Sequence, residues 1–434
     1  MSRIGHLIRQ ERIKQNMKQS TLAAGICSAS HLSKIENNSA IPSEEIANLL
    51  LEKLNVQMSE YSVEEEEQII DRLETMYKDA VLNRDHEQIR DFLLQFAGQK
   101  IQFKSMDNFY TYNLLMCRLF LVLREQDVSP FIETLELVAS QFNERQKFIF
   151  HLNMGIYYYS QFEFQKSIEI LERSFELIKM VQIEAWELAD FYNFIGTTYM
   201  KIDEYFRAIQ YISKAMRFFR DNLYLIRAID CYIILGISFK NTNQLEKAKE
   251  SYLLGQKLAN ELGLNSYQSM FHHNLGRLHA MAGNPEKSIE YYHLSLESKY
   301  HMKIKEGRIA TILALINEYS KLNNSIQVIR WCKKGLNILD KEYDDNHSAL
   351  AESYRYHYLI YGALHSNALD KEEILKEAIA HFEKIDDYRY IHKYSVLLID
   401  HYAQNEDYKK AMDYFQKAER AIFKQKRVRF WEDL

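Results

Sequence analysis

The sequence predicts an all-α protein: a small helical bundle at the N-terminus, then a long right-handed superhelical solenoid of helix pairs. Three observations predict it. Helix breakers are scarce, since the 434 residues hold 13 Gly and 3 Pro, where ordinary usage gives roughly 30 and 22. The stretch "SASHLSKIENNSAIP", Ser28 to Pro42, reads as a capped helix, a turn and a proline that opens the next helix. An apolar residue followed by glycine returns at Met154-Gly155, Ile195-Gly196, Leu235-Gly236 and Leu275-Gly276, at intervals of 41, 40 and 40.

The first element is a helix over residues 3–15, with Ile4, Leu7, Ile8 and Ile13 at near-helical spacing. A second, short helix runs from about Lys18 to Ala24 with Leu22 and Ala23 inward. Gly25 ends it, because glycine accepts the left-handed dihedrals of a helix stop. Ser28 is placed to cap the third helix, which holds Leu32 and Ile35 inward. Asn37-Asn38-Ser39 is a turn composition. Pro42-Ser43 opens a fourth helix with Glu44 and Glu45 in its first turn, where the helix dipole favours acid, and Ile46, Leu49, Leu50 and Leu54 buried. Two short helices around a tight turn, braced by flanking helices, make a helix-turn-helix over residues 1–58.

Charge agrees with that division. Net charge is −5 overall, yet the first 55 residues carry seven Lys and Arg against five Glu. A small basic module on an acidic body suits one that meets phosphate. Residues 59–104 read as a linker and helical hairpin, the hairpin running from about 64 to 100. The Glu64–Glu67 run reads as a solvated first helical turn.

From 105 to 425 the repeat governs. Three residues after each glycine comes a ring: Tyr158, Tyr199, Phe239, His279. Twelve after it comes a small residue: Ser167, Ala208, Ala248, Ser288. Four further sits a large one: Leu171, Ile212, Tyr252, Tyr292. This is the tetratricopeptide pattern on a longer period than the usual 34. Ile316, Tyr319 and Val328 extend it weakly; Ile399, Tyr402, Ala411, Phe415 and Ala418 make a late repeat; 345–385 is irregular. About seven repeats are expected, then a tail at 426–434. Such arrays present an inner surface that binds extended peptides. Asn113, Asn153 and Asn193 are one period apart and Asn274 recurs two periods on. A primary amide can donate to a peptide carbonyl and accept from a peptide N–H together. Asp190, Asp230, Arg277 and Asn317 share these inner faces and are expected to read charges or termini.

No phosphate loop, zinc-protease motif, nucleophile elbow or kinase signature occurs, so no enzyme and no cofactor are expected. His272, His273 and His279 lack ligand spacing on one helical face, so no metal is expected. Cys27, Cys117, Cys231 and Cys332 are too dispersed for a disulfide framework; Cys27 reads as a small core residue. The N-terminus lacks an apolar signal core, and no apolar run approaches the roughly 18 residues of a membrane span. The expectation is a cytoplasmic protein.

"KQSTLAAGICSASHLSKIENNSAIPSEEIANLL" resembles the helix-turn-helix of the phage-repressor (Cro/C1) class, through Gln19, Leu22-Ala23, Ser28, Leu32 to Glu36 and Pro42. Its Leu22–Glu36 stretch is one residue shorter than the usual class pattern. That "GICS" turn is similar to the peptide-pheromone regulators of Firmicutes (the Rgg, Rap, NprR, PlcR and PrgX group). A solenoid of this length makes the NprR branch the most similar. The resemblance implies that the third helix enters the major groove of operator DNA. Ser28, Ala29, Ser30, Ser33 and Lys34 then fall on base-reading positions and Gln19 on a backbone-positioning one. Arg12 and Glu36 match a structural salt bridge. His31 reads equally as a packing, phosphate or base contact. The resemblance further implies a quorum-sensing transcription regulator, a homodimer or higher oligomer, that binds a signalling oligopeptide. Two alternatives stand beside it. One is a Rap-like protein that binds a response-regulator receiver domain of the sporulation phosphorelay, with Gln68, Gln88 or Gln95 assisting loss of its phosphate. The other is a phage arbitrium-type peptide receptor.

Overall fold

The computed structural model describes residues 3–426 apart from 16, 38, 55–58, 97–100, 125–126, 306, 343–348 and 367–369. The expected tail therefore lies, beyond Lys426, outside the described residues. The described residues are almost wholly helical. The chain divides into two compact units, Met1–Ser251 and Tyr252–Leu434.

The first unit begins with α1 (Arg3–Lys14), α2 (Gln19–Ala23), α3 (Ala29–Glu36) and α4 (Glu44–Lys53). Ser28 caps α3 by accepting from the His31 N–H at 3.1 Å, and Ser43 caps α4 by accepting from Ile46 at 3.3 Å. Gly25 sits at φ +81° in open space, so its conformation and not its size makes it glycine. Ile8, Leu22, Leu32, Ile35, Leu50, Leu51 and Leu54 form one core. Leu51 fills the place expected of Leu49, which is exposed; the helix is rotated so that 47, 50, 51 and 54 face inward. Cys27 packs half-buried against this core.

The hairpin is α5 (Val63–Leu82) and α6 (His86–Phe96). Ser62 and Glu65 form a reciprocal capping box at the start of α5. The run is solvated at Glu64, Glu65 and Glu67, as expected, but not at Glu66. The Glu66 carboxylate is fully buried and accepts from the backbone N–H of Lys104 and Ser105 and the amide of Asn108. A buried carboxylate is tolerated there because it meets backbone N–H groups at the entry to the next helix, α7 (Met106–Leu123). A short parallel pair, β1 (Ser59–Glu60) with β2 (Ile101–Gln102), was not foreseen.

The repeats of the first unit continue with α8 (Ser129–Val138), α9 (Glu144–Ser160), α10 (Phe164–Met180), α11 (Ala185–Lys201), α12 (Tyr205–Asp221) and α13 (Leu225–Asn241). Helix α14 (Leu245–Glu261) carries the boundary. The second unit holds α15 (Asn265–Met281), α16 (Pro285–His301), α17 (Arg308–Lys321), α18 (Ser325–Glu342), α19 (Ala349–Leu364), α20 (Lys371–Lys384), α21 (Tyr388–Gln404) and α22 (Tyr408–Lys426). Consecutive helices pack as tetratricopeptide-like hairpins.

The packing explains the sequence pattern. A Cβ on Gly155 would lie 2.6 Å from the Leu171 side chain, on Gly196 2.7 Å from Ile212, and on Gly276 2.6 Å from the Tyr292 ring. The glycine and the large residue sixteen positions later are one interlocked pair. The small residue twelve positions later completes it: Ser167 donates to the Gly155 carbonyl at 2.7 Å and Ser288 to that of Gly276 at 2.8 Å. The stretch expected to be irregular forms α19 and α20. There the pair is displaced, with Gly335 of α18 lying against Tyr358 of α19, so a search for the upstream register passes over it. Turns repeat as well. Left-handed residues occur at Asp203, Asn243, Gly283 and Asn323, forty apart.

Candidate DNA-reading helix and inner-face network

The N-terminal module presents α3 as a rigid, exposed edge. Ser28, Ala29, Ser30 and Lys34 are exposed, and His31 and Ser33 are half-buried. Behind them Glu36, only 1% exposed, is held by three groups. Arg12 Nε donates to Oε1 at 2.6 Å, Arg12 Nη2 to Oε2 at 2.8 Å, and Gln19 Nε2 to Oε2 at 2.6 Å. Arg12 also donates to the Met17 carbonyl at 2.8 Å, which ties α1 to the start of α2. Such a bidentate pair fixes orientation as well as charge. One of Gln19's two amide hydrogens is therefore committed inside the module, and only the other is left for a phosphate.

The inner helices of the first unit carry a buried charge network. Asp190, fully buried, pairs through Oδ2 with Arg118 and through Oδ1 with Arg227 at 2.9 Å. Arg227 also donates to Asn193 Oδ1 at 3.1 Å and to the Val81 carbonyl at 2.7 Å. Its guanidinium lies over the Phe219 ring, and that of Arg118 over Phe194. Burial pushes the Arg227 pKa down. Arg84 pairs with Asp230. Arg145 bridges Glu74 at 3.0 Å and Glu187 at 2.8 Å. Burial raises the Glu187 carboxyl, which the arginine opposes.

Each asparagine of the expected amide ladder has at least one partner within the protein. Asn113 donates to the Phe109 carbonyl of its own helix at 2.7 Å, and Asn274 likewise to Met270 at 3.0 Å. Asn153, fully buried, donates to the Leu114 carbonyl at 2.8 Å and so joins neighbouring repeats. Asn193 donates to the Cys231 sulfur and accepts from Arg227. Asp190 has both oxygens engaged, and Asp230 holds Arg84. The shared register reflects helix packing, where a buried amide satisfies carbonyls. In the second unit Arg277 is exposed, and the buried Oδ1 of Asn317 has no hydrogen-bond partner. Nearby, His273 Nδ1 meets the Thr311 hydroxyl at 3.0 Å, and Lys299 donates to Thr311 at 2.7 Å and to the Gly307 carbonyl at 3.0 Å. Burial lowers the Lys299 pKa to about 8. His279 stacks on Tyr291. Gln68, Gln88 and Gln95 all lie exposed on α5 and α6.

Arg118, Arg145, Glu187 and Arg227 escaped sequence reasoning. The signal was present, for Glu187 and Arg227 are forty apart, as are Asp190 and Asp230. They share the repeat's register, so neighbouring inner helices face each other with charges.

Among the described residues, no helix is long and apolar enough to cross a membrane, and no group of three His, Cys, Asp or Glu could hold a metal. A helix-turn-helix family model, HTH_3, matches residues 8–61. The chain is 23% identical over 402 residues to the transcriptional activator NprA of Geobacillus stearothermophilus, across 91% of this chain and 97% of that one. Its fold is similar to the apo form of the quorum sensor NprR from B. thuringiensis, with a TM-score of 0.70 at 18% identity over 82% of this chain and 99% of that one. It is also similar to NprR in complex with its cognate peptide NprX, with a TM-score of 0.59 at 17% identity over 81% and 98%.

Proposed function

We propose that this chain, a member of the peptide-pheromone-sensing regulators (the Rgg, Rap, NprR, PlcR and PrgX group), is a quorum-sensing transcription regulator. Its helix-turn-helix binds operator DNA, and the inner face of its repeats binds a signalling oligopeptide. One observation carries the reading: a rigidly braced helix with an exposed edge of small and cationic side chains precedes a long helical repeat array in the same chain. Ala29 and Ser30 let α3 approach base edges closely, and Lys34 reaches guanine or phosphate. Gln19 positions the module on the backbone, and Arg12 with Glu36 keeps α3 at a fixed angle. The protein acts as a homodimer, so its operators are inverted repeats. On the inner face, Arg277 and the unpartnered Asn317 oxygen are the groups first available to a peptide. Asp190, Asp230 and Asn193 of the first unit become available only when their internal partners leave, whereas the Asn153 oxygen, like that of Asn317, is buried without a partner.

Two selections test this. The full chain selects from random duplexes, and separately from a pool of synthetic linear peptides of roughly five to eight residues. The expected duplexes are inverted repeats whose enrichment disappears in Lys34→Ala with Ser30→Ala. The expected peptides lose retention in Arg277→Ala. Enrichment of neither class would end the reading.

A further inference from the structure

The inner face of the first unit already holds a piece of main chain. Val81, whose carbonyl accepts from Arg227 at 2.7 Å, lies 146 positions earlier, in the last turn of α5. Around this site Arg84 pairs with Asp230, and Arg145 links Glu74 to Glu187. Tyr77 is fully buried, edge-on to Trp186 at a centroid distance of 4.9 Å. The C-terminal half of α5 thus lies on α11 and reaches α13. The chemistry of this meeting is general. The last carbonyls of a helix have no partner within it and sit at its negative end. They offer a guanidinium what an extended peptide offers, a row of open carbonyl oxygens.

The groups on the groove side are largely engaged with one another, although Arg118 Nε and Arg227 Nε are buried without a partner. Both oxygens of Asp190 hold arginines, and Arg227 serves Asp190, Asn193 and Val81 together. A peptide carbonyl that takes the position facing Arg227 Nη1 replaces the Val81 carbonyl bond for bond. We infer that the last turn of α5, with Arg84, is an internal occupant of this inner face, a clasp that a peptide main chain must displace. The inference rests on the proposal that the inner face takes peptide. Displacement would move α5, which follows the helix-turn-helix in the chain. Groove occupancy would then reach the DNA-reading module through the element that joins them.

Arg84 is the point to test, because its pair with Asp230 is partly exposed, unlike the fully buried Asp190 network. The full chain, with Cys27→Ser, carries spin labels at Gln88→Cys and Arg220→Cys, both exposed positions. Arg84→Glu is expected to add a longer-distance population, and Arg84→Glu with Asp230→Arg to remove it. The groove probe is the synthetic octapeptide YKDAVLNR, the clasp's own residues 77–84. For a clasp closed in most molecules, fluorescence anisotropy should show about tenfold tighter probe binding to Arg84→Glu than to the parent. The charge swap should abolish that gain. Unmoved label distances in Arg84→Glu, or equal probe binding by the three chains, would overturn the clasp. Failure of the peptide-pool selection above would instead remove the parent reading and leave the label distances as they are.

Discussion

The inner helices of the two units solve one problem in different ways. Those of the first unit bury charge and pair it: Asp190 between Arg118 and Arg227, Glu187 with Arg145. The second unit buries fewer charges, with Arg308 paired to Glu342 and Glu318 to Lys321 at opposite ends of α17 and Lys299 against Thr311, and beside them many neutral groups. Tyr358 donates to the Ile309 carbonyl at 2.7 Å, Ser295 to the Ser269 carbonyl at 2.6 Å, and Ser353 meets His381 at 2.9 Å. A paired charge network is rigid and specific, and costs much to break from one side. A less charged set, with an exposed Arg277 and a buried Asn317 oxygen that has no partner, can accept a new partner at lower cost. On the proposed reading, stability and gating fall to the first inner face and first contact to the second.

The sharpest way to break the comparison is Asp190→Ala. It strands two buried guanidinium groups and should cost about 3–5 kcal/mol, read as earlier urea unfolding of the first unit by hydrogen exchange. Asn317→Leu in the second unit should change stability by less than about 1 kcal/mol, because its oxygen has no partner to lose. Equal costs would erase the distinction. Next in size is Gly276→Ala, which drives a methyl group into the Tyr292 ring and should cost about 1–3 kcal/mol. The loss should appear in exchange from α15 and α16, with helix content retained.

These residues also mark what the sequence disclosed. The glycine, small and large positions of four repeats are legible because a close helix crossing allows so few side chains. The caps at Ser28 and Ser43 are legible because a helix start needs an oxygen there. Less was legible where a partner comes from a distant segment. Glu66 looks like part of an acidic run until Lys104 and Ser105, at the entry to α7, supply backbone N–H groups. The asparagines share a register, but the register fixes only the face; which carbonyl or arginine stands opposite depends on the neighbouring repeat. Gly335 was passed over because its large partner, Tyr358, lies in the next hairpin.

Two smaller effects sharpen the account. Lys34→Ala with Ser30→Ala should leave stability unchanged. It should weaken binding to selected duplex, relative to random duplex, by about 1–3 kcal/mol for each base no longer read. Competition titrations at fixed salt read this directly, and equal weakening on both duplexes would move the reading edge off α3. Leu223 is left-handed at φ 62° and exposed. Leu223→Gly removes the Cβ strain and should stabilise the turn by up to about 1 kcal/mol, measured by thermal melting.

The most direct test of peptide sensing by the repeats uses the chain without residues 1–58. Each repeat packs mainly on its neighbours, so the truncation should keep its helical circular dichroism. Presented with the synthetic peptide pool, it should enrich the same sequences as the full chain, and Arg277→Ala should abolish that enrichment in both. Capture that depends on residues 1–58, or survives Arg277→Ala unchanged, would contradict the assignment of sensing to the inner face of the repeats.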